Sequence, residues 1–374
     1  MATVLGNLLA FVVAISILVA VHEFGHYIVG RWVGMKVLRF SIGFGKEIFG
    51  WTDRAKTRWK FSVIPLGGYI KMFGDANAAS QPSGDITELS EEERAVSFHT
   101  KRLGQRSWIV VAGPLANFLF AWVILVGLFI TVGQRFTPPE VGQVMPESAA
   151  EAAGILAGDL ILELNGAAIE RFEEVQRIVQ PNPNVPLEVV VLRNGERVVL
   201  TAVPRLSEQT NNFGMHREIG LLGISRGGVE YVRHGFVESL WRAGDEILFL
   251  SRATLEAIGE IIIGMRSADE LGGPLRIAQM SGLVAEAGLV PTLGFMVMLS
   301  VTLGLINLFP IPMLDGGHLL YYAIEFVRGR PLGERAQEFG FRIGIALVVS
   351  LMLFVTLNDL IQMEVFDFIK RLAT

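Results

Sequence analysis

The sequence predicts a polytopic α-helical membrane protein with four transmembrane helices, a membrane-associated β-hairpin region and an inserted α+β domain. Three observations predict it. The 374 residues are 51% hydrophobic and only 18% charged, with a mean hydropathy of +0.46, too apolar for an ordinary soluble chain. Residues 1–30, 107–134, 287–314 and 342–361 are long enough, and poor enough in charge, to span a bilayer. Between the second and third of these the pattern changes to short strand-like runs punctuated by Gly, Asn and Pro, as in a small mixed domain.

The same composition excludes several classes of function. There is no cysteine, so thiolate metal sites and disulfides are ruled out, and any metal must be held by His and carboxylate. The net charge of −5 comes without a basic patch or interleaved aromatic and basic residues, so no nucleic-acid partner is expected. The first twenty residues lack the positive n-region of a cleaved signal peptide, so translation is expected to start directly on the first span.

The first span carries the residues around which the chain is organised, His22-Glu23-Phe24-Gly25-His26. On a helix the step from His22 to His26 puts both imidazoles on one face, as a tetrahedral zinc site requires. Glu23 beside them is placed to take a proton from a water that such a metal has acidified, for attack on a peptide carbonyl. H-E-x-x-H fixes only three positions and also arises by chance. At membrane depth, however, ionisable groups are expensive unless they are neutralised by one another or by a metal, and this favours the zinc reading.

Residues 31–106 contain thirteen Lys and Arg, several of them close to span ends, so the positive-inside rule places this block in the cytoplasm and the N-terminus outside. Val37 to Phe49 and Trp59 to Phe73 read as strands joined near Asp53-Arg54. The alternative is a small soluble sheet. The apolar load of Phe40, Ile42, Phe44, Ile48, Phe49 and Trp51 favours a sheet that dips into the membrane beside the site, where its backbone groups pair internally. Ala76 to Glu93 reads as a polar loop. The second span contains Gly113-Pro114-Leu115-Ala116-Asn117, in which the Asn117 amide either makes an interhelical hydrogen bond or lines the site.

Residues 138–206 form the inserted domain, with strand-like runs at 159–164, 187–193 and 197–203. Its stretch Ala153 to Gly166 resembles the signature of PDZ domains, with Glu173 to Val179 as the groove helix. Such a domain takes up peptide as an added strand, and the competing reading is a structural spacer. Following an outward span, it is expected in the periplasm. Residues 207–286 read as a linker with interfacial amphipathic helices. Within them, the charges of 235–265 fall mostly on one helical face, and Ile247, Leu248, Leu250 and Leu255 on the other.

The third span, 287–314, ends in Asn307-Leu308-Phe309-Pro310-Ile311-Pro312-Met313-Leu314-Asp315-Gly316. Two prolines one residue apart cannot continue a helix, so the backbone unwinds at membrane depth, which is tolerated only around a buried site. Asp315 would supply the third ligand, completing two imidazoles, a carboxylate and one open position. His318 competes for that place, and a carboxylate is favoured because it lowers the net charge of the buried ion. Asn307 precedes the unwound stretch, and its amide is placed to bond the backbone of a substrate. Residues 315–341 then read as a cytoplasmic loop, 342–361 as the fourth span and 362–374 as a tail outside the cytoplasm.

Taken in order, His22-Glu23-x-x-His26, Pro65-Leu66-Gly67-Gly68-Tyr69, Gly113-Pro114-x-x-Asn117 and Asn307-x-x-Pro310-x-Pro312-x-x-Asp315-Gly316 resemble the site-2 protease family of intramembrane zinc metalloproteases. The likeness is to its bacterial, sigma-E-regulating branch. It implies one zinc per chain on His22, His26 and Asp315, Glu23 as general base, and Asn307, Pro310, Pro312 and Asn117 around the substrate. It further implies a multi-pass protein of the bacterial inner membrane, acting within the bilayer on single-span proteins such as anti-sigma factors and remnant signal peptides. Well-known members carry two tandem PDZ domains that exclude uncut substrates; residues 207–234 are too short for a second, so a single domain is expected here. The rival is a membrane-anchored PDZ adaptor with a structural zinc, which need not keep Glu23, Asn307 and Asp315 together as this chain does.

Overall fold

A computed structural model of the chain describes residues 2–75, 89–210, 216–228, 230–264 and 272–362. It forms two compact units, one of Met1–Gly127 with Leu240–Asp359 and one of Leu128–Ser239 with Leu360–Thr374. Among the described residues, four helices are long and apolar enough to cross a membrane: Leu5–Trp32, Leu103–Thr131, Leu289–Asn307 and Arg335–Gln362. Their outward faces carry large exposed side chains such as Leu5, Leu8, Leu9, Leu119, Leu353 and Phe354. A water-facing surface of that kind would cost about 25 cal/mol per Å². A bilayer removes the cost, so the chain is an integral membrane protein.

The first unit begins with α1 (Ala2–Trp32). It is followed by β1 (Val37–Thr52) and β2 (Arg58–Met72), an antiparallel pair. Their connection near Asp53 is held by that carboxylate, which accepts from Thr57 N–H at 2.9 Å, Trp59 Nε1–H at 2.9 Å and Tyr27 O–H at 3.2 Å. The register is more complex than a single hairpin. Phe40 stands opposite both Ile70 and Trp59, and Ile42 opposite both Gly68 and Phe61, while Trp51 also pairs with Trp59. Each long strand is therefore folded back on itself. The folds fall at Gly43, Gly45 and Gly67, at φ +87°, +90° and +90°, a left-handed backbone that glycine adopts without the Cβ penalty. A Cβ on Gly43 would also stand 2.6 Å from the Ile64 carbonyl oxygen. One face of the sheet packs into a core of Met35, Val37, Phe40, Ile70, Met72, Phe98, Ile109 and Val110, while Ile48, Phe49, Val63 and Ile64 are exposed. Part of the expected polar loop, 76–88, lies outside the described residues; its end is instead the short helix α2 (Glu91–Val96), closed by a Ser90–Glu93 capping box. Helix α3 (Leu103–Thr131) contains Pro114.

The second unit is α+β. It contains β3 (Gln134–Phe136), β4 (Val141–Val144), α4 (Ala149–Ala152), β5 (Leu160–Leu164), β6 (Ala167–Ala168), α5 (Phe172–Val179), β7 (Leu187–Arg193), β8 (Glu196–Ala202), β9 (Arg205–Thr210), β10 (His216–Leu221), β11 (Ile224–Arg226) and β12 (Glu230–Val232). A sheet in the order β6-β5-β7-β8 presents Ile161, Leu164, Leu187, Val189 and Val191 to one core, which α5 closes with Val175 and Val179. The strand-like runs and helix expected from sequence are all present. The fold continues past the expected boundary at residue 206, since β11 pairs with β4, β12 pairs with β3 and Leu222 is buried in the same core.

The chain re-enters the first unit along α6 (Phe236–Ile262), whose length and charge agree with the amphipathic helix expected over 235–265. Next comes α7 (Pro274–Ala287), in the stretch expected as linker and interfacial helices. It is packed against the first span: a Cβ on Gly282 would meet the Asn7 backbone at 2.8 Å. Its N-terminal amides at Gly273, Leu275 and Arg276 all donate to the buried Asp359 carboxylate, an anion at a helix N-terminus. Helix α8 (Leu289–Asn307) ends before the two prolines, as their chemistry requires. The stretch expected as a loop over 315–341 contains α9 (Asp315–Arg328), ended by Gly329 at φ 68°. Its apolar face supplies the buried Tyr322 to the core beneath the sheet, and that burial makes it a helix. Helix α10 (Glu334–Gln362) completes the unit.

Candidate metal centre

Helices α1 and α3 cross closely because two glycines meet the opposite helix. A Cβ on Gly25 would stand 2.1 Å from the Ala112 carbonyl oxygen, and one on Gly113 would stand 2.4 Å from His26 Nε2 and 2.9 Å from His22 Cε1. Gly113 thus leaves the space in which the two imidazoles sit. Gly304 brings α8 against the same turn of α3, with Pro114 O and Asn117 Cβ as its neighbours. The unwound stretch 308–314 is packed on the start of α9, where Gly316 and Gly317 lie against the carbonyls of Leu308, Phe309 and Ile311. That contact aims Asp315 at α1.

Three donor atoms converge there. His22 Nε2 and His26 Nε2 are 3.2 Å apart, and Asp315 Oδ2 lies 3.1 Å from the first and 3.5 Å from the second. Among the described residues, His22, His26 and Asp315 are the group whose ligand atoms all lie within 4.8 Å of one another. The donor set fits zinc. His26 Nδ1 is 2.7 Å from the Ile109 carbonyl, which only accepts, so the ring proton sits on Nδ1 and the Nε2 lone pair faces the other donors. Asp315 Oδ2 is buried and takes no hydrogen bond. A carboxylate oxygen facing an imidazole lone pair in a water-poor setting is repelled unless a cation lies between them. Two nitrogens and one oxygen leave a fourth position open for reaction.

A cavity of about 260 Å³ opens on this centre, lined by His22, Glu23, His26, Asp315, Asn307 and His318, with Phe44, Gly68, Tyr69, Ile70 and Met313 among its other walls. Glu23 sits on the same helical turn as His22, and a Cβ on Gly68 would stand 3.6 Å from its Cγ. The sheet therefore borders the cavity directly at Glu23. Asn307 lines the cavity while its Nδ2 donates back to Leu303 O at 2.9 Å. Pro310 and Pro312 do not line it; their contribution is the shape of the 308–314 stretch, where Pro312 O stands against Gly344 of α10. Asn117 is fully buried and outside the lining, and its Nδ2 lies 3.1 Å from His22 Nδ1. His318 borders the cavity without joining the converging donors. Burial holds its imidazole below the ordinary histidine range.

Two wall elements were not legible as site residues. Gly68 to Ile70 reach the cavity only because the hairpin folds back on itself. Met313 has φ 88°, a conformation that costs a side-chain-bearing residue about 1–3 kcal/mol, and it is imposed by the tight packing of 308–314 on Gly316 and Gly317. Pro65 to Tyr69 and the two prolines mark both segments in the sequence, but which of their residues face the site is set by packing.

The model of peptidase family M50 matches residues 10–351 of the chain. A Rhizobium meliloti protein that carries the provisional name zinc metalloprotease is 44% identical, over 94% of this chain and 95% of its own length. A similarly named protein of Agrobacterium fabrum is 43% identical, over 95% and 96%. The metalloprotease MmpA of Caulobacter vibrioides is 37% identical, over 98% of both.

Proposed function

This chain belongs to peptidase family M50 and is a zinc metalloprotease, and from that premise we propose that it hydrolyses peptide bonds inside the transmembrane segment of single-span proteins. The substrates are of the anti-sigma-factor and remnant signal-peptide type, cut in regulated intramembrane proteolysis. The observation that carries this reading is the position of Glu23, His22 and His26 within a helix apolar enough to span a bilayer, around a cavity shared with Asp315.

His22, His26 and Asp315 hold the zinc, which when bound supplies an electrophile for the scissile carbonyl and acidifies the attacking water. Glu23 accepts that water's proton and passes it to the departing amide nitrogen. Asn307 bonds the backbone of the unwound substrate from the end of α8, and Pro310 and Pro312 keep the wall beside it from closing into a helix. The second unit acts as a single PDZ domain in the periplasm of a bacterial inner-membrane protein; the pairing of its sheet with α5 over one core supports this. The sheet of β1 and β2 is associated with the membrane, in keeping with its exposed Ile48, Phe49, Val63 and Ile64. An adaptor with a structural zinc has no use for a carboxylate base in the metal cavity, and Glu23 is there.

The test compares membrane proteomes of cells with the wild-type and the Glu23→Gln protein. Single-span fragments should accumulate with Glu23→Gln, whose purified form keeps zinc in about one-to-one ratio because the glutamate does not ligate. Near-wild-type cleavage by purified Glu23→Gln protein would sink the assignment.

A further inference from the structure

We propose that Asn117 is a positioning residue for the metal site, holding His22 in the tautomer that can bind zinc by accepting its Nδ1 proton. This rests on the reading of His22 as a ligand. The observations are a contact and an orphan. One atom of the Asn117 amide lies 3.1 Å from His22 Nδ1, and the other, Oδ1, is buried without a hydrogen-bond partner.

With Nδ2 toward His22, the amide donates to Nδ1. The ring proton must then sit on Nε2, the atom that faces His26 and Asp315, and that tautomer cannot ligate. A half-turn of the amide about χ2 exchanges two atoms of nearly equal size. Oδ1 then accepts from Nδ1–H, and the Nε2 lone pair is free to meet a cation. His26 obtains the same result from a fixed acceptor, the Ile109 carbonyl. His22 has an amide instead, and only with its Oδ1 toward Nδ1 is the Nε2 lone pair left free.

The placement of Asn117 is itself constrained. Gly113 and Asn117 are one turn apart on α3, facing His22 and His26 one turn apart on α1, so the glycine makes room for the rings and the amide meets the outer nitrogen of one. The Asn117 backbone is pinned from α8, where Ser300 Oγ donates to its carbonyl at 2.8 Å and a Cβ on Gly304 would stand 3.3 Å from the Asn117 Cβ. A side chain held this way, with no route to the cavity, acts on the reaction through His22 alone.

The experiment measures the zinc dissociation constant by chelator competition, with the melting temperature, for purified full-length wild type, Asn117→Asp, Asn117→Leu and His22→Ala. Asn117→Asp, ionised beside the Nδ1–H, accepts where the amide oxygen would, so it should bind zinc at least as tightly as wild type. Asn117→Leu should bind about ten- to a hundred-fold more weakly, the usual effect of removing the hydrogen-bond partner of a ligating histidine. If Asn117→Asp binds ten-fold or more weakly while melting as wild type does, the amide works as a donor and the proposal is overturned. Failure of both Asn117 variants to fold would assign the residue to packing, and also overturn it. His22→Ala separates the two levels. If its affinity is unchanged, the ligand assignment has failed; if it loses zinc while the Asn117 variants match wild type, only the present proposal has.

Discussion

Replacing Gly113 by alanine sets two effects of known sign against each other. In a helix interior alanine is favoured over glycine by about 1 kcal/mol, and Gly113 lies inside α3, so by propensity alone the change stabilises. The added Cβ, however, would stand 2.4 Å from His26 Nε2 and 2.5 Å from His26 Cε1, with His22 Cε1 at 2.9 Å. This is about 1 Å inside ordinary van der Waals contact, which close-packed interiors do not absorb locally. The ring atoms that must move are the metal-binding ones, and a zinc site tolerates only about 0.2 Å in its ligand distances. The local cost therefore falls on metal binding more than on folding. Gly113→Ala protein is expected to retain its helical content and to melt within a few degrees of wild type after chelator treatment. Its zinc affinity should fall about a hundred-fold or more, and its cleavage of a single-span substrate with it. Chelator competition, circular-dichroism melting and a cleavage assay read the three quantities. Wild-type zinc affinity in Gly113→Ala would refute the view that this glycine exists to seat the imidazoles. Loss of folding without zinc would show that the α1–α3 crossing, rather than the site, is what the residue serves.

Asn307→Ala should fold and bind zinc normally yet lose about a hundred-fold in kcat, the usual size for one positioned donor; normal turnover would leave Asn307 only its bond to Leu303. In the second unit, Arg193 Nε and Nη2 and the Leu156 N–H donate to the buried Asp159 carboxylate at 2.8, 2.7 and 2.8 Å. Burial raises its pKa, but the Arg193 and Leu156 bonds outweigh that and leave it below the usual aspartate value. A depressed folded pKa stabilises above the unfolded value, about 3.9, and this contribution is lost as pH falls through the folded one. Arg193→Met should destabilise the second unit at pH 7, read by denaturant unfolding, and the gap to wild type should narrow as pH drops below about 4; a gap that stays constant with pH would refute the pairing. Excising residues 134–232, the span closed by the β3–β12 pair, should let the enzyme cut substrates that keep their full periplasmic domain while trimmed ones are cut as before, as a gel assay on both substrates would show; unchanged selectivity would support a spacer.

What the sequence by itself determined here is whatever a single helix or a single composition shift can express. The i, i+4 step from His22 to His26 is complete within one turn of α1, and four long stretches poor in charge announce the spans without any partner. The two prolines end α8 by covalent geometry alone, which made the unwound wall at 308–314 legible. The tertiary structure decided the rest, because the rest depends on pairs of distant segments. Alternation marks β1 and β2 as strands but does not report that Phe40 has neighbours on both sides, and only that fold-back carries Gly68 to Glu23. Helix α9 looked like a loop until Tyr322 had a core to enter. The three-residue strands β3 and β12 are too short for any periodicity and exist because they pair with each other. Asp315 was recognisable as a candidate ligand, but its meeting with His22 Nε2 at 3.1 Å joins residues almost three hundred positions apart. That meeting depends on Gly113, Gly304, Gly316 and Gly317, whose contribution is the absence of a side chain; an absence acquires meaning only from what is packed against it.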